Sequence, residues 1–226
     1  MSRQQFFIAG TDTDAGKTLV ASGLLNKAKQ QGLKTLGLKP VAAGCEQTEA
    51  GLRNSDALAL IEQSTEKLMY EQVNPIALEP AIAPHIAAQL NRKPLGAERI
   101  TGLLRGVLMI NRADFTLIEG AGGYRVPLNP RETLADTVQE LKLPVILVVG
   151  MKLGCLNHAL LTVEAIERDG LKLAGWIANQ IDPQMEAYEE NLNTLHAMIQ
   201  APCLGTVPYI TSPSAETVAS HLKLPE

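Results

Sequence analysis

Apolar residues along the chain fall in short unbroken runs, separated by longer stretches in which they recur every three or four positions. Phe6-Phe7-Ile8-Ala9 is the first run and stops at Gly10; from Lys17 to Gln30, Leu19, Leu24, Leu25 and Ala28 return at helical spacing. That change of period predicts strand, loop, helix. Further runs lie at Thr35–Lys39, Phe115–Ile118, Val145–Val149, Leu173–Ala178 and Cys203–Val207. They lack polar alternation, as strands buried on both faces of a parallel sheet do. Amphipathic stretches at Ser55–Gln63, Ala97–Ile110, Thr133–Leu141, Asn157–Asp169 and Met185–Ile199 supply the crossover helices. The pattern predicts an α/β fold: a doubly wound, mainly parallel sheet with helices on both faces, in a single domain over residues 1–226. The segment from Asn74 to Pro94 reads as an irregular insertion over one edge of that sheet.

Composition narrows the function classes. With 20 Lys and Arg against 24 Asp and Glu, the net charge is −4, which offers no basic footprint for nucleic acid or an anionic membrane. Cys45, Cys155 and Cys203 are an odd number without a C-x-x-C pair, so neither a disulfide framework nor a thiolate zinc site is indicated and a reducing cytoplasm is expected. His85, His158, His196 and His221 show no ligand spacing. The apolar run after Met1-Ser2-Arg3-Gln4-Gln5 is too short for a signal-peptide core. The run Leu143–Val149 contains Pro144 and cannot span a bilayer. These features predict a small or proteinaceous partner, with no nucleic acid and no membrane.

In open α/β sheets ligands bind beyond the carboxyl ends of the strands, so the loops there carry the candidate chemistry. After the first strand comes Gly10-Thr11-Asp12-Thr13-Asp14-Ala15-Gly16-Lys17-Thr18, opening directly into a helix. This is the context of a phosphate-binding P-loop, although five residues rather than four separate its glycines and Thr11 occupies the expected first-glycine position. Backbone N–H groups at such a helix start favour an anion, Lys17 reaches outer phosphates and the Thr18 hydroxyl suits magnesium. The fold is therefore expected to be of the P-loop NTPase type.

Lys39 ends the second strand, where it either aims into the same crevice or is solvated. Asp56, near a helix start, is either a first-turn acid or a metal ligand. Glu119 ends the third apolar run before Gly120-Ala121-Gly122-Gly123, as a Walker-B acid does. Thr18, Asp56 and Glu119 together offer the oxygen ligands that magnesium takes. Asn179-Gln180-Ile181-Asp182 has the asparagine and aspartate spacing of a guanine-reading motif but glutamine at its lysine position; an Asx turn at Asp182 ahead of Pro183 is the alternative, and the purine stays open.

The P-loop, Leu38-Lys39-Pro40-Val41-Ala42, Leu52-Arg53-Asn54-Ser55-Asp56-Ala57, Ala83-Pro84-His85, Glu119-Gly120-Ala121-Gly122-Gly123 and Lys152-Leu153-Gly154-Cys155-Leu156-Asn157-His158 together resemble the dethiobiotin synthetase family, from about residue 6 to about residue 210. The resemblance implies a cytoplasmic homodimer that closes a cyclic urea on 7,8-diaminopelargonate with CO2, ATP and magnesium in biotin synthesis. By motif, Lys17 and Lys39 would be the catalytic cations, and Thr18, Asp56 and Glu119 would hold the metal. Asp14, Ala15, Gly16 and Leu19 would line the nucleotide phosphates, and Thr13 and Gly120 to Gly122 would face phosphates or the diamine. Asn179 and Gln180 with Pro208, Tyr209 and Ile210 would frame the base. Thr13, Lys39 and Ala43 would face the diamine, and Gly154, Cys155, Leu156 and Asn157 would receive its carboxylate across the dimer interface.

Two positions depart from the family pattern: Ala43 stands where serine is common, and Gln180 where aspartate is common. Two other P-loop readings fit less well. A partition-ATPase switch would carry a signature lysine early in the loop, where Thr11-Asp12-Thr13 has none, and its amphipathic tail would have to be the short Ser214–Leu222 stretch. A cobyrinic-type amidase would need a glutaminase domain for which the chain has no room.

Overall fold

The computed structural model describes residues 3–226; Met1 and Ser2, which open the leader reading above, lie outside the described residues. In chain order the elements are β1 (Gln4–Gly10), α1 (Lys17–Gln30), β2 (Thr35–Leu38), β3 (Val41–Ala43), β4 (Glu46–Thr48), β5 (Gly51–Arg53), α2 (Ser55–Gln63), α3 (Tyr70–Val73), β6 (Ile76–Leu78), α4 (Pro84–Leu90) and α5 (Ala97–Ile110). Then follow β7 (Phe115–Glu119), α6 (Leu134–Leu141), β8 (Val145–Met151), α7 (Cys155–Arg168), β9 (Leu173–Gln180), α8 (Tyr188–Met198), β10 (Cys203–Val207) and α9 (Ala215–Ala219).

The central sheet has the order β10-β9-β8-β1-β7-β2, and every pairing in it is parallel. Because side chains alternate along a strand, one run of apolar residues feeds two cores. On β1, Phe6 and Ile8 pack with Val20, Leu24 and Leu25 of α1 and Val218 of α9. Phe7 and Ala9 point the other way, into a core shared with α5, α6, α7 and α8 through Ile100, Leu104, Val138, Ala159 and Leu195. Burial on both faces explains why the strands read as continuously apolar. From β1 the chain crosses to the β2 edge, returns through β7 beside β1, and then moves outward on the other side through β8, β9 and β10, so the winding reverses at β1, where the P-loop emerges.

Close packing shows at Gly175 in β9, where an added Cβ would lie 2.6 Å from Leu204 Cγ and 2.9 Å from the Pro202 carbonyl oxygen. Backbone cannot yield there cheaply, so Gly175→Ala should destabilise by about 1–3 kcal/mol. Urea unfolding would read this as a lower midpoint with an unchanged slope.

The structure corrects three expected boundaries. The helix expected from Asn157 begins at Cys155, because Gly154 adopts the left-handed conformation (φ 92°) and turns the chain two residues earlier. The helix expected from Met185 begins at Tyr188: Asp182 Oδ1 accepts from the Gln184 N–H at 2.9 Å, and Ala187 is left-handed (φ 50°), which holds Met185 in a turn. The third correction is larger. The Asn74–Pro94 segment is not irregular, for it contains β6, which pairs in parallel with β3, and α4, started by Pro84 at its first position. A three-residue strand flanked by prolines leaves too little period to read. The segment does sit at the β2 edge, where Asn74 Nδ2 donates to the Lys39 carbonyl at 2.7 Å and the Ile76 N–H to the Pro40 carbonyl at 3.2 Å.

Candidate nucleotide and cation site

The loop between β1 and α1 folds back on itself through two left-handed residues, Asp14 (φ 59°) and Gly16 (φ 88°). Lys17 is the first residue of α1 and its Nζ donates to the Asp12 carbonyl at 3.1 Å. Its aliphatic stem fills the space beside Gly10, where a Cβ would meet Lys17 Cγ at 3.1 Å. The Asp12 carbonyl oxygen would lie 3.0 Å from the same Cβ, so the space at position 10 is tight. Thr11 uses its side chain, its Oγ1 accepting from the Gly150 N–H at 3.2 Å and tying the loop to β8. Asn179, at the end of β9, donates from Nδ2 to the Ala15 carbonyl at 2.9 Å, so its amide braces the loop from the neighbouring strand. A Cβ on Gly16 would collide with that amide as well as strain the backbone. Gly16→Ala should therefore weaken ATP binding by at least about tenfold, measured by calorimetry on the folded variant.

Beside the loop, charged side chains gather at the strand ends. Lys39 Nζ lies 2.6 Å from Glu119 Oε1, 3.0 Å from Asp56 Oδ2 and 2.9 Å from the Gly120 carbonyl oxygen. Thr18 Oγ1 donates to the same Glu119 oxygen at 2.7 Å. Lys39 is 4% exposed, Glu119 1% and Lys17 7%, which removes the solvated reading of Lys39. Burial by itself would lower the Lys39 pKa, but Glu119 and Asp56 outweigh it and hold the ammonium above its ordinary range. Lys17 is shifted the other way, down, by burial first and then by the neighbouring Lys39 cation. Burial opposes ionisation of Asp56, yet Lys39 and the Thr18 hydroxyl keep its carboxyl below the usual range. Asp56 is carried in the first turn of α2, whose N-cap is Asn54, its Oδ1 accepting from the Ala57 N–H at 3.2 Å.

Glu119 Oε2 is buried and has no hydrogen-bond partner among the described residues. A buried carboxylate oxygen left unpartnered is costly unless a cation completes it. With the Thr18 hydroxyl and the Asp56 carboxylate it forms a set of hard oxygen donors, so these residues fit a magnesium ion.

Lys17, Thr18, Lys39, Ala43, Asp56, Glu119, Ala121 and Gly122 all line one cavity of about 970 Å³, together with Thr13, Asp14, Gly16 and Leu19. Gly120 sits beneath it, pressed against Phe7 so closely that a Cβ would lie 2.8 Å from the ring. The sequence-predicted residues at the base and carboxylate ends lie outside that cavity's lining. The Tyr209 N–H donates to Gln180 Oε1 at 3.3 Å, which joins the Pro208–Ile210 loop to the end of β9. Gly154, Cys155, Leu156 and Asn157 form the start of α7, whose first helical bond runs from the His158 N–H to the Gly154 carbonyl. Leu153 beside them is 94% exposed.

Ala81, Ile82, Arg125, Val126 and Pro127 of the cavity lining escaped the sequence reading, and Arg125 is the charged one among them. Arg125 lines the cavity, and its guanidinium donates to Asp169 Oδ1 at 2.6 Å, while Tyr124 donates to Asp169 Oδ2 at 2.7 Å. Burial, then the Asp169 carboxylate, push the Tyr124 phenol well above its ordinary pKa. Together these bonds pin the glycine-rich loop after β7 to the end of α7. The available signal was an arginine three residues past Gly122, in a loop at a strand's carboxyl end.

A parallel sheet whose first strand opens through an anion-binding loop into a helix, with an acid at the tip of a neighbouring strand, defines a P-loop NTPase-type fold. A family profile described as an AAA domain matches residues 4–217. Among solved structures, a ParA family ATPase from Chlorobium tepidum TLS superimposes with TM-score 0.57 at 11% identity, covering 97% of each chain. The septum site-determining protein MinD of Pyrococcus horikoshii OT3, complexed with Mg-ADP, gives 0.53 at 17% identity, covering 97% of this chain and 86% of that one. These likenesses concern the fold.

Sequence relatives go further. An ATP-dependent dethiobiotin synthetase from Cellvibrio japonicus (strain Ueda107) is 63% identical over 224 residues, covering 99% of this chain and 97% of its own. One from Vibrio parahaemolyticus serotype O3:K6 is 48% identical over 219 residues, covering 97% and 95%. The chain belongs to the ATP-dependent dethiobiotin synthetase family and is an enzyme of the ATP-dependent ligase class. Among the described residues no helix is long and apolar enough to cross a membrane.

Proposed function

We propose that the enzyme converts 7,8-diaminopelargonate, CO2 and ATP to dethiobiotin, ADP and phosphate in biotin biosynthesis. One amine attacks CO2, loses a proton and becomes a carbamate. A carbamate oxygen attacks the γ-phosphorus, the bond to the ADP oxygen breaks, and a carbamic-phosphoric anhydride forms. The second amine attacks the anhydride carbon, phosphate departs with the bonding electrons, the amine proton is lost and the cyclic urea closes.

The observation that carries this reading is the convergence of Lys17, Lys39, Asp56 and Glu119 on one cavity, with Lys39 held between two carboxylates. Phosphoryl transfer asks little covalent chemistry of a protein; it asks for placement and charge. The loop N–H groups of Thr13 to Gly16, with Lys17 and the start of α1 at Thr18 and Leu19, hold the nucleotide phosphates. Lys39 holds the carbamate and neutralises charge as its oxygen approaches phosphorus. Two lysine charges beside the amines repel added protons and keep the nucleophiles neutral. Thr18, Asp56 and Glu119 would hold magnesium, which supplies charge neutralisation on the transferring phosphoryl oxygens.

Gly120 to Gly122 let substrate approach the backbone, and Ala43 leaves the contact made by serine elsewhere to water or a backbone N–H. The paired Gln180 and Tyr209 support a frame for the base formed by Asn179, Gln180, Pro208, Tyr209 and Ile210. The start of α7 at Gly154, Cys155, Leu156 and Asn157 would bind the substrate carboxylate from a second copy, since early helix N–H groups favour an anion. An exposed leucine beside it suits a homodimer contact. The cytoplasm, where all three cysteines stay free thiols, is the proposed location.

Measuring ADP release with each reactant omitted in turn tests the reading. ADP formation is expected to require both the diamine and bicarbonate. Equal ADP formation from ATP alone would overturn it.

A further inference from the structure

The Lys39–Asp56 contact closes a ring of bonds through residues that no part of the mechanism uses. Lys39 is gripped through both its N–H and its carbonyl by the C-terminal end of α3: its N–H donates to the Val73 carbonyl at 2.9 Å, and its carbonyl accepts from Asn74 Nδ2 at 2.7 Å. Asn74 Oδ1 accepts from the Tyr70 hydroxyl at 2.9 Å. The Tyr70 oxygen in turn accepts from the Asn54 N–H at 2.7 Å. Asn54 caps α2, and α2 carries Asp56 back to Lys39 Nζ at 3.0 Å. Asn54 and Asn74 are buried at 5% and 2% exposure. The Arg53 guanidinium lies 4.0 Å over the Tyr70 ring and fixes its plane.

We propose that Tyr70 and Asn74 are positioning residues, which set the separation of Lys39 and Asp56 by linking the end of β2 to the N-cap of α2. The proposal rests on reading Lys39 as the catalytic cation. Without the link, β2 and α2 stay joined at the far end of α2, where the Gly37 N–H donates to Ser64 Oγ at 2.9 Å and Thr35 Oγ1 to the Gln63 carbonyl at 2.8 Å. The ends that carry Lys39 and Asp56, however, lose a direct tie and can drift by a fraction of an ångström. Displacements of that order matter where charge must meet a transferring phosphoryl group. Both partners of the Tyr70 hydroxyl lie in protein rather than water, so a missing hydroxyl leaves an N–H and a carbonyl-type oxygen unpaired in place.

Tyr70→Phe removes one oxygen and keeps the ring under Arg53. Turnover should fall roughly tenfold, as for loss of a group that orients an active-site ligand. A merely structural loss would be a smaller fraction of folded enzyme, and it would appear whatever residue stands at 39. The discriminating readout is therefore a double-mutant cycle on turnover per folded enzyme. The proposal predicts a roughly tenfold loss for Tyr70→Phe with Lys39 present and less than about twofold in the Lys39→Ala background. Equal losses in both backgrounds, or no loss with Lys39 present, overturn it. Should Tyr70→Phe fail to fold, Asn74→Ala carries the same cycle with the same two outcomes. Full turnover in Lys39→Ala alone would instead overturn the reading of the site on which the proposal stands.

Discussion

Lys39→Ala is expected to lower turnover by about 10²–10³-fold, the scale of losing one preorganised electrostatic group from a water-excluded site. The lysine is 4% exposed and bonded to two carboxylates and a carbonyl oxygen, so neither water nor a neighbouring side chain is placed to replace its charge. Removing one partner of a buried ion pair also costs about 3–5 kcal/mol when the other charge is left behind. The lower figure applies here, because Asp56 is 39% exposed and can turn to water, leaving Glu119 as the stranded charge. For a chain of this length, about 3 kcal/mol lowers the melting temperature by roughly 10 °C. The variant should fold at 25 °C and melt earlier in calorimetry. Undiminished product formation in the folded variant would refute the role assigned to Lys39.

The second large effect is expected at Glu119. Glu119→Gln keeps the shape and removes the charge: its amide oxygen can take the Oε1 place and go on accepting from Lys39 Nζ and Thr18 Oγ1, which puts an NH2 donor at the unpartnered Oε2 position offered to the cation. Lys39 retains Asp56 and the Gly120 carbonyl, so the fold should survive better than in Lys39→Ala. The oxygen set that fits magnesium loses its most buried charge. The magnesium concentration for half-maximal turnover should rise by at least about tenfold, with turnover at saturating metal still reduced by about 10². A magnesium titration with no shift in midpoint would remove Glu119 from the metal set.

The architecture was legible wherever burial is two-sided. Phe6-Phe7-Ile8-Ala9 and Val145–Val149 have no polar face because helices cover both sides of the sheet, and this reads directly as parallel strands. The β3–β6 pair was not legible. Each strand has three residues, Pro40 precedes one and Pro75 the other, and no period can establish itself over so short a span. The same limit hid Tyr70 and Asn74, whose bonds to Asn54 and Lys39 cross sequence separations of 16 and 35 residues. Local pattern carries no trace of such pairings.

At the site, residue type and position after a strand were enough to single out Lys17, Lys39 and Glu119. Their mutual arrangement was not, because it depends on β2 and β7 lying side by side, with Leu38 in register with Ile118. That register puts Lys39 one step past the strand end against Glu119. Position in the sequence left Asp56 open between helix-dipole acid and metal ligand; it is a first-turn acid of α2 and its contact with Lys39 places it at the cavity, so the first description does not exclude the second. The Asn179–Asp182 stretch resolves in part. Asp182 makes the Asx turn, and Asn179 braces the phosphate loop.

The cavity is proposed to join carbon dioxide to a diamine with ATP as the phosphoryl donor. The most direct test is incubation of the purified enzyme with labelled bicarbonate, ATP, magnesium and 7,8-diaminopelargonate, followed by acidification and counting. The expected result is label retained in an acid-stable cyclic urea, in equal amount to the ADP formed and lost when the diamine is left out. Label that escapes entirely as gas on acidification, while ADP accumulates, would contradict it.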